Sequence, residues 1–315
     1  MTIQEIHNSW VITVLGRNDV ERTLGPVTNI LKEQGLELDR IESPYKTFKE
    51  VEANGYACVR FYAYGRVSDE SLIRSEFLAV ADEIAADIVW QAESEFTRER
   101  RLFIFDMDST LIQGETIDEL AKMADVADRV IAITASAMRG EIEFPESFQR
   151  RVALLAGLPE AKALEVVGRI PLMEGAERLF RVLKARGCKT AILSGGFTFL
   201  GAVLQEKLGA DYLFANELDL ADGFVTGEVQ GRIVDGARKA ELLVEIAGRE
   251  GIPLEQVVAV GDGANDLPML SLAGMGVAFH AKPVVRASAK YAMTHVGLDG
   301  LLEVVRICRA RNGSV

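Results

Sequence analysis

Apolar and polar positions change period several times along this chain, and the changes mark out its elements. Trp10 to Leu15 is a mostly apolar run, which predicts a strand. Val20, Leu24, Val27, Ile30 and Leu31 follow at helical spacing, and Gly35 stops that helix. Leu36, Leu38 and Ile41 alternate as a second strand, and Tyr56 to Tyr64 as a third. Leu72 to Ile88 carries another amphipathic helix, and Val89 to Phe96 reads as a fourth strand.

The order β-α-β-β-α-β is the ferredoxin-like arrangement. It ends in a polar, charged joint, Thr97-Arg-Glu-Arg-Arg101, which divides the chain into residues 1–97 and 98–315. Beyond the joint, Leu102 to Phe105 is a short apolar strand. A helical stretch covers about 115–170, interrupted near Gly140 to Pro145 and at Gly157-Leu-Pro159. Strand and helix then alternate. Lys189 to Leu193, Tyr212 to Ala215, Val257 to Val260 and Gly276 to Phe279 read as strands, and Phe197 to Leu208, 238–250 and Asp266 to Leu272 as helices. Leu218 to Gly231, with Asp222-Gly223 at its turn, reads as a hairpin. The alternation predicts an α/β fold, a mostly parallel sheet wrapped by helices with the 115–170 block inserted as a lid.

Composition narrows the function. Of 315 residues, 49% are hydrophobic and 26% charged, with a net charge of −12. That acidity excludes non-specific nucleic-acid binding, whose main term is phosphate neutralised by Lys and Arg. No apolar stretch is long enough to span a membrane, and Met1 to His7 lacks the regions of a signal peptide. Cys58, Cys188 and Cys308 are far apart and odd in number, without disulfide or zinc spacing. The expectation is a cytoplasmic protein that binds neither nucleic acid nor membrane.

The candidate chemistry lies where strands end. The apolar run to Phe105 stops in Asp106-Met-Asp108, two carboxylates separated by a single residue. Acids so close repel unless a cation joins them or one keeps a proton. One of them can then attack while the other handles the proton. Asp108-Ser-Thr110 would also serve simply to cap a helix, so the partners downstream decide. Leu193-Ser194-Gly195-Gly196 ends a strand in a hydroxyl and two glycines, which suits phosphate. Lys239 sits at a helix start, against the helix dipole. Gly261-Asp262-Gly-Ala-Asn265-Asp266 gathers acids and an amide suited to a hard cation. Together these make a phosphoryl-transfer site.

Residues from about 101 to 310 resemble the haloacid dehalogenase (HAD) superfamily, and within it the phosphoserine phosphatases. The carrying residues are Asp106-Met-Asp-Ser-Thr-Leu111, Glu115-Thr-Ile-Asp-Glu119, Arg151-Val-Ala-Leu-Leu155, Ser194-Gly-Gly-Phe197, Phe214-Ala-Asn216, Lys239 and Val260-Gly-Asp-Gly-Ala-Asn-Asp266. The resemblance implies a HAD-like Rossmannoid sheet in 98–315 with a helical cap at about 115–172. It implies Mg²⁺-dependent hydrolysis of O-phospho-L-serine through an aspartyl-phosphate, the last step of serine synthesis. Asp106 would be the nucleophile and Asp108 the acid and base. Mg²⁺ would be held by Asp106, the backbone carbonyl of Asp108, and Asp262, with Asp266 supporting. Ser194, Gly195, Gly196 and Lys239 would bind phosphate, and Asn265 would support that end of the site.

An amino-acid phosphate also presents an ammonium and a carboxylate, which call for one anion and one cation on the lid. Glu115 follows the catalytic turn. Residue pattern alone does not separate Arg150 from Arg151; the resemblance selects Arg151, gripping the carboxylate in a fork. Met138 and Phe144 would line an apolar wall, though each equally suits lid core. The first segment resembles the ACT domain in its element order and in the loop Gly16-Arg-Asn-Asp19. That resemblance implies an amino-acid effector site or a homodimer interface. Two other functions compete: a phosphatase for phosphothreonine, phosphohomoserine or another small phosphomonoester, and an amino-acid-binding regulator without activity.

Overall fold

The computed structural model describes residues 8–17, 20–44 and 55–307. Asn18 and Asp19 of the loop after the first strand, and Cys308, lie outside them, as does the side chain of Met138.

Strands β1 (Ser9–Gly16), β2 (Glu37–Glu42), β3 (Ala57–Tyr64) and β4 (Asp87–Ala92) form an antiparallel sheet in the order β2-β3-β1-β4. The alternation of β1 and β4 separates two buried faces. Trp10, Ile12, Val14, Ile88 and Trp90 pack under the helices Leu24–Glu33 and Glu70–Ile84. Leu15, Cys58 and Val89 belong instead to the core of the larger sheet. Across that contact the Asp87 carboxylate accepts the backbone N–H groups of Thr294, His295 and Val296 at 2.5, 3.0 and 3.0 Å.

Two of the expected boundaries here are corrected. The second helix ends at Ile84, where Ala85 takes a left-handed conformation (φ 51°), and the chain enters β4 already at Asp87. The strand stops at Ala92, and Glu93–Phe96 is a helical turn rather than its continuation.

The larger sheet has seven strands in the order β12-β11-β10-β6-β7-β8-β9. Its members are β6 (Leu102–Phe105), β7 (Lys189–Phe197), β8 (Tyr212–Ala221), β9 (Phe224–Gln230), β10 (Val257–Gly261), β11 (Met275–Phe279) and β12 (Tyr291–Met293). Short β5 (Glu99–Arg100) pairs separately with β13 (Arg306–Ile307). All pairings in the large sheet are parallel except β8 with β9. The central strand is buried on both faces, Phe103 and Phe105 on one side, Leu102 and Ile104 on the other. This explains why it reads as an unbroken apolar run.

Between β6 and β7 the chain builds a cap of helices Thr116–Met123, Ala127–Met138, Phe144–Ala153 and Glu160–Leu164. The cap has its own apolar cluster, including Ile117, Leu120, Val130, Phe148, Val152 and Leu158. Two further expectations change. β7 runs on through Ser194-Gly195-Gly196 to Phe197, because Phe197 still pairs with Asn216 of β8. The strand expected at Tyr212 to Ala215 and the first arm of the hairpin are one strand, β8. Among the described residues no helix is long and apolar enough to cross a membrane.

Candidate active site

Two adjacent parallel strands, β6 and β10, end together, beside β7, which runs on past them. Phe105 of β6 is paired with Val260 of β10 and with Ile192 of β7. The next residues on each strand are therefore neighbours: Asp106, Gly261-Asp262 and Leu193-Ser194. This is the carboxyl end of an open α/β sheet, where such folds place ligands.

Asp106 is 5% exposed, and its Oδ1 lies 2.8 Å from Lys239 Nζ. Lys239, fully buried in the first turn of the helix Gly236–Glu250, is also 2.7 Å from Asp266 Oδ1. Asp106 Oδ1 further accepts the N–H of Met107 at 2.7 Å. Asp262 receives the hydroxyl of Thr110 at 3.4 Å. The second oxygen of Asp266 accepts the N–H of Gly263 at 3.0 Å, so both its oxygens are engaged. Gly261 is required here, because an added Cβ would fall 2.4 Å from the Asp266 carboxylate.

Asp108 points the other way. Its Oδ1 accepts the N–H of Thr116 at 2.8 Å and also the Thr116 hydroxyl, and its Oδ2 accepts the Ser194 hydroxyl at 3.4 Å. The turn that re-aims it holds Ser109 in the left-handed region (φ 55°), with the Ser109 hydroxyl 2.8 Å from Glu115 Oε1. Gly196 leaves room for this carboxylate, since a Cβ there would meet Asp108 Oδ2 at 2.3 Å. The Ser194 hydroxyl accepts the Gly196 N–H at 2.8 Å, which folds the Ser-Gly-Gly segment on itself.

The electrostatics of the cluster ask for a cation. Oxygens of Asp106, Asp262 and Asp266 lie within 4.8 Å of one another. Burial, then the charge of Asp266, pushes Asp106 well above the ordinary carboxylate range. Burial and the charges of Asp266 and Glu115 push Asp262 up to about 7. At Lys239 burial opposes the charge, but Asp106 and Asp266 outweigh it and hold the amine above its usual pKa. One ammonium faces three carboxylates, and an all-oxygen donor set with that surplus suits a hard divalent ion. The Asp108 carboxylate is outside this group. Burial, followed by the charge of Glu115, raises it to about 6.

The cap brings the other expected residues to the same place. Arg151 is only 9% exposed, and its Nε donates to the Ser147 carbonyl at 3.3 Å. Burial lowers its pKa, while Glu115, Asp118 and Asp108 pull it back up, so it shares their surroundings. Arg150 faces outward and pairs with Glu146, which separates the two arginines that sequence left together. Phe144 overlies the glycines: its ring lies 3.1 Å from where a Cβ on Gly195 would stand. Asn265 packs by its backbone carbonyl against Gly236, at the start of the Lys239 helix.

Two residues in this network were not singled out as site residues by the sequence. Thr116 holds Asp108, and its signal was its place in the run Glu115-Thr-Ile-Asp-Glu119 at the head of the first cap helix. Asn216 is buried between segments: its amide donates to the Gly195 carbonyl at 2.9 Å and its oxygen accepts the Val234 N–H at 2.9 Å. Its signal was the run Phe214-Ala-Asn216, which lies in β8 beside β7.

Residues 103–271 match the family model of haloacid dehalogenase-like hydrolases. A phosphoserine phosphatase from Archaeoglobus fulgidus is 48% identical over 239 residues, covering 76% of this chain and 70% of that protein. A HAD family hydrolase from Salmonella enterica serovar Typhi superposes with a TM-score of 0.83 at 29% identity, covering 97% of this chain and 99% of the other. A phospho-aspartyl intermediate analogue of a phosphoserine phosphatase superposes with a TM-score of 0.63 at 44% identity, covering 66% of this chain and all (100%) of that one. On the family match and these similarities, the chain belongs to the haloacid dehalogenase-like hydrolases, in the branch that contains the phosphoserine phosphatases.

Proposed function

We propose that the chain hydrolyses O-phospho-L-serine to L-serine and phosphate through a phosphorylated Asp106, completing serine synthesis in the cytoplasm. The observation that carries this reading is the division of labour between two aspartates two residues apart. Asp106 is clamped beside Lys239 among the acids, while Asp108 turns away to Thr116 and Ser194. A nucleophile and a proton carrier need those different surroundings.

In the first half-reaction an Asp106 oxygen forms a bond to phosphorus as the bond from phosphorus to the serine oxygen breaks. Asp108, whose burial raises its pKa to about 6, gives a proton to the departing oxygen. Lys239, the Ser194 hydroxyl and the N–H groups about Gly195 and Gly196 take the phosphoryl oxygens, with Asn265 bracing the start of the Lys239 helix. In the second half Asp108 takes a proton from water, the water oxygen bonds to phosphorus, and the Asp106–phosphorus bond breaks to release phosphate. Mg²⁺ held by Asp106, the Asp108 carbonyl and Asp262 would neutralise the charge gathered on phosphate and carboxylates, with Asp266 fixing Lys239.

Arg151 and Glu115 support the choice of substrate: a guanidinium for the carboxylate, a carboxylate for the ammonium, with Phe144 as the apolar wall. We assign residues 1–97 to an ACT-like unit and 98–315 to the hydrolase, the former serving as an amino-acid effector site or a homodimer interface. Calorimetry of the full chain with L-serine, beside its sedimentation, distinguishes those two. The substrate is tested by a screen of small phosphomonoesters with Mg²⁺. Phosphoserine should be preferred; equal or faster turnover of phosphothreonine or phosphohomoserine would replace it, and no turnover of any would favour a non-catalytic regulator.

A further inference from the structure

The phosphate end of the site lies deep: Lys239 and Ser194 are fully buried (0% exposed) and Asp106 is 5% exposed, beneath half-buried Asp108 and Asp262 and exposed Glu115, and a lid over such groups opens to admit substrate and closes to exclude water. The cap has two covalent links to the body, one on each side of 116–168. It also has a third attachment that is not covalent. The Gly157 N–H donates to the Val225 carbonyl at 2.8 Å, the Val225 N–H to the Leu158 carbonyl at 2.9 Å, and the Glu160 N–H to the Gly223 carbonyl at 2.9 Å. Pro159 and Phe224 face each other there as an antiparallel bridge pair. The β8–β9 hairpin is thus sewn by its backbone to the loop that follows the Arg151 helix.

Side chains reinforce the seam. Val225 and Leu218 of the hairpin are buried in the same apolar cluster as Phe148, Val152, Leu155 and Leu158 of the cap. Gly227 (φ +91°) lies so close that an added Cβ would stand 3.1 Å from the Ala153 carbonyl and from the Ala156 Cβ. The tie to the body is narrower. Strand pairing with β7 ends at Asn216, whose side chain holds Gly195 and Val234, and beyond it the hairpin strands pair only with each other and with the cap.

We propose that the hairpin travels with the cap: hairpin and cap open and close over the phosphate site as one body, bending where β8 leaves Asn216 and where β9 returns through Gly231. Separating the two would strip three backbone hydrogen bonds and uncover Val225 and Leu218. Bending at the base leaves the seam whole, and Gly231 (φ +75°) sits at the return. Asn216, at the fixed foot of the hairpin, then ties the moving body to the Ser194–Gly196 segment. The inference rests on the phosphatase reading only in requiring that a phosphomonoester be admitted.

The test is a disulfide across the seam, Pro159→Cys with Phe224→Cys, since paired strand positions match disulfide geometry. Turnover of p-nitrophenyl phosphate and of phosphoserine by the oxidised full-length chain should stay within about two-fold of the reduced form. A loss of about ten-fold or more that dithiothreitol reverses would show that the cap must leave the hairpin, and would overturn the proposal. Native-state amide exchange of the unmodified chain decides independently of turnover and of whether the pair oxidises. The amides of Gly157, Glu160 and Val225 should exchange as slowly as that of Val152 inside the cap; exchange about ten-fold faster as a group would overturn it. Because exchange needs no substrate, a wrong substrate assignment leaves this result standing.

Discussion

The carboxylate of Asp108 is held by Thr116, through both its N–H and its hydroxyl, so the proposed proton carrier is oriented by the first residue of the first cap helix. The strand that supplies Asp108 belongs to the body, and the helix that supplies Thr116 belongs to the cap. The Asp108 carboxylate is therefore aligned across the joint between them. Thr116→Val keeps the N–H and the shape but removes the hydroxyl. A hydrogen bond to a charged group contributes about 1.5–3 kcal/mol, so kcat should fall about ten-fold or more with KM nearly unchanged. Thr116→Ser should restore most of it. Equal kinetics for Val and Thr would remove Thr116 from the mechanism.

Arg151 and Glu115 should govern which phosphate ester is accepted, not the chemistry at phosphorus. Arg151→Ala and Glu115→Gln should each lower kcat/KM for phosphoserine by about one hundred-fold, as expected for losing a charge that pairs with one of the substrate's own. Their rates on p-nitrophenyl phosphate, which has neither ammonium nor carboxylate, should change much less. A parallel loss on both substrates would show a structural role for these residues instead.

The crowding of Asp106, Asp262 and Asp266 around one lysine predicts a cation requirement that also appears in stability. EDTA should silence turnover and Mg²⁺ restore it. Mg²⁺ should also raise the unfolding temperature, since a ligand at one hundred times its Kd adds about 2.7 kcal/mol to the folded state. In Asp262→Asn both effects should weaken together. Metal-independent turnover would contradict the site as drawn.

Asp87 ties the antiparallel sheet to the turn that follows β12 by accepting three backbone N–H groups. Asp87→Ala leaves those donors buried without an acceptor, at a cost of about 1–3 kcal/mol for a single unpaired donor and more for all of them. Thermal unfolding should begin several degrees lower, with the catalytic constants at moderate temperature little altered. An unchanged unfolding curve would show that the contact between the two sheets does not depend on it.

Much of this was legible before any coordinates, for definite reasons. A parallel strand buried on both faces reads as an apolar run, so its end at Asp106 and the end of Val257–Gly261 at Asp262 stand out sharply. What escaped depends on contacts distant in sequence. Asp87 looked like a residue of a helix end, yet a charged side chain is buried in β4 because its acceptors are satisfied more than two hundred residues away. Ser194-Gly195-Gly196 looked like the end of a strand, yet pairing of Phe197 with Asn216 carries β7 further. Asn216 and Thr116 carry no composition signal of their own; each acquires its place only when β8 and the cap are folded against the strand ends. The choice between Arg150 and Arg151 likewise follows from which face of their helix is buried.

In the proposed mechanism Asp106 carries the phosphoryl group once in each turnover. Rapid acid quench of the Mg²⁺-loaded enzyme with ³²P-labelled phosphoserine, followed by peptide mapping, tests it most directly. Label should appear on the peptide containing Asp106, no slower than serine is released, and be absent in Asp106→Asn, which should fold normally yet not turn over. Normal turnover with no label on that peptide, or appreciable activity in Asp106→Asn, would contradict it.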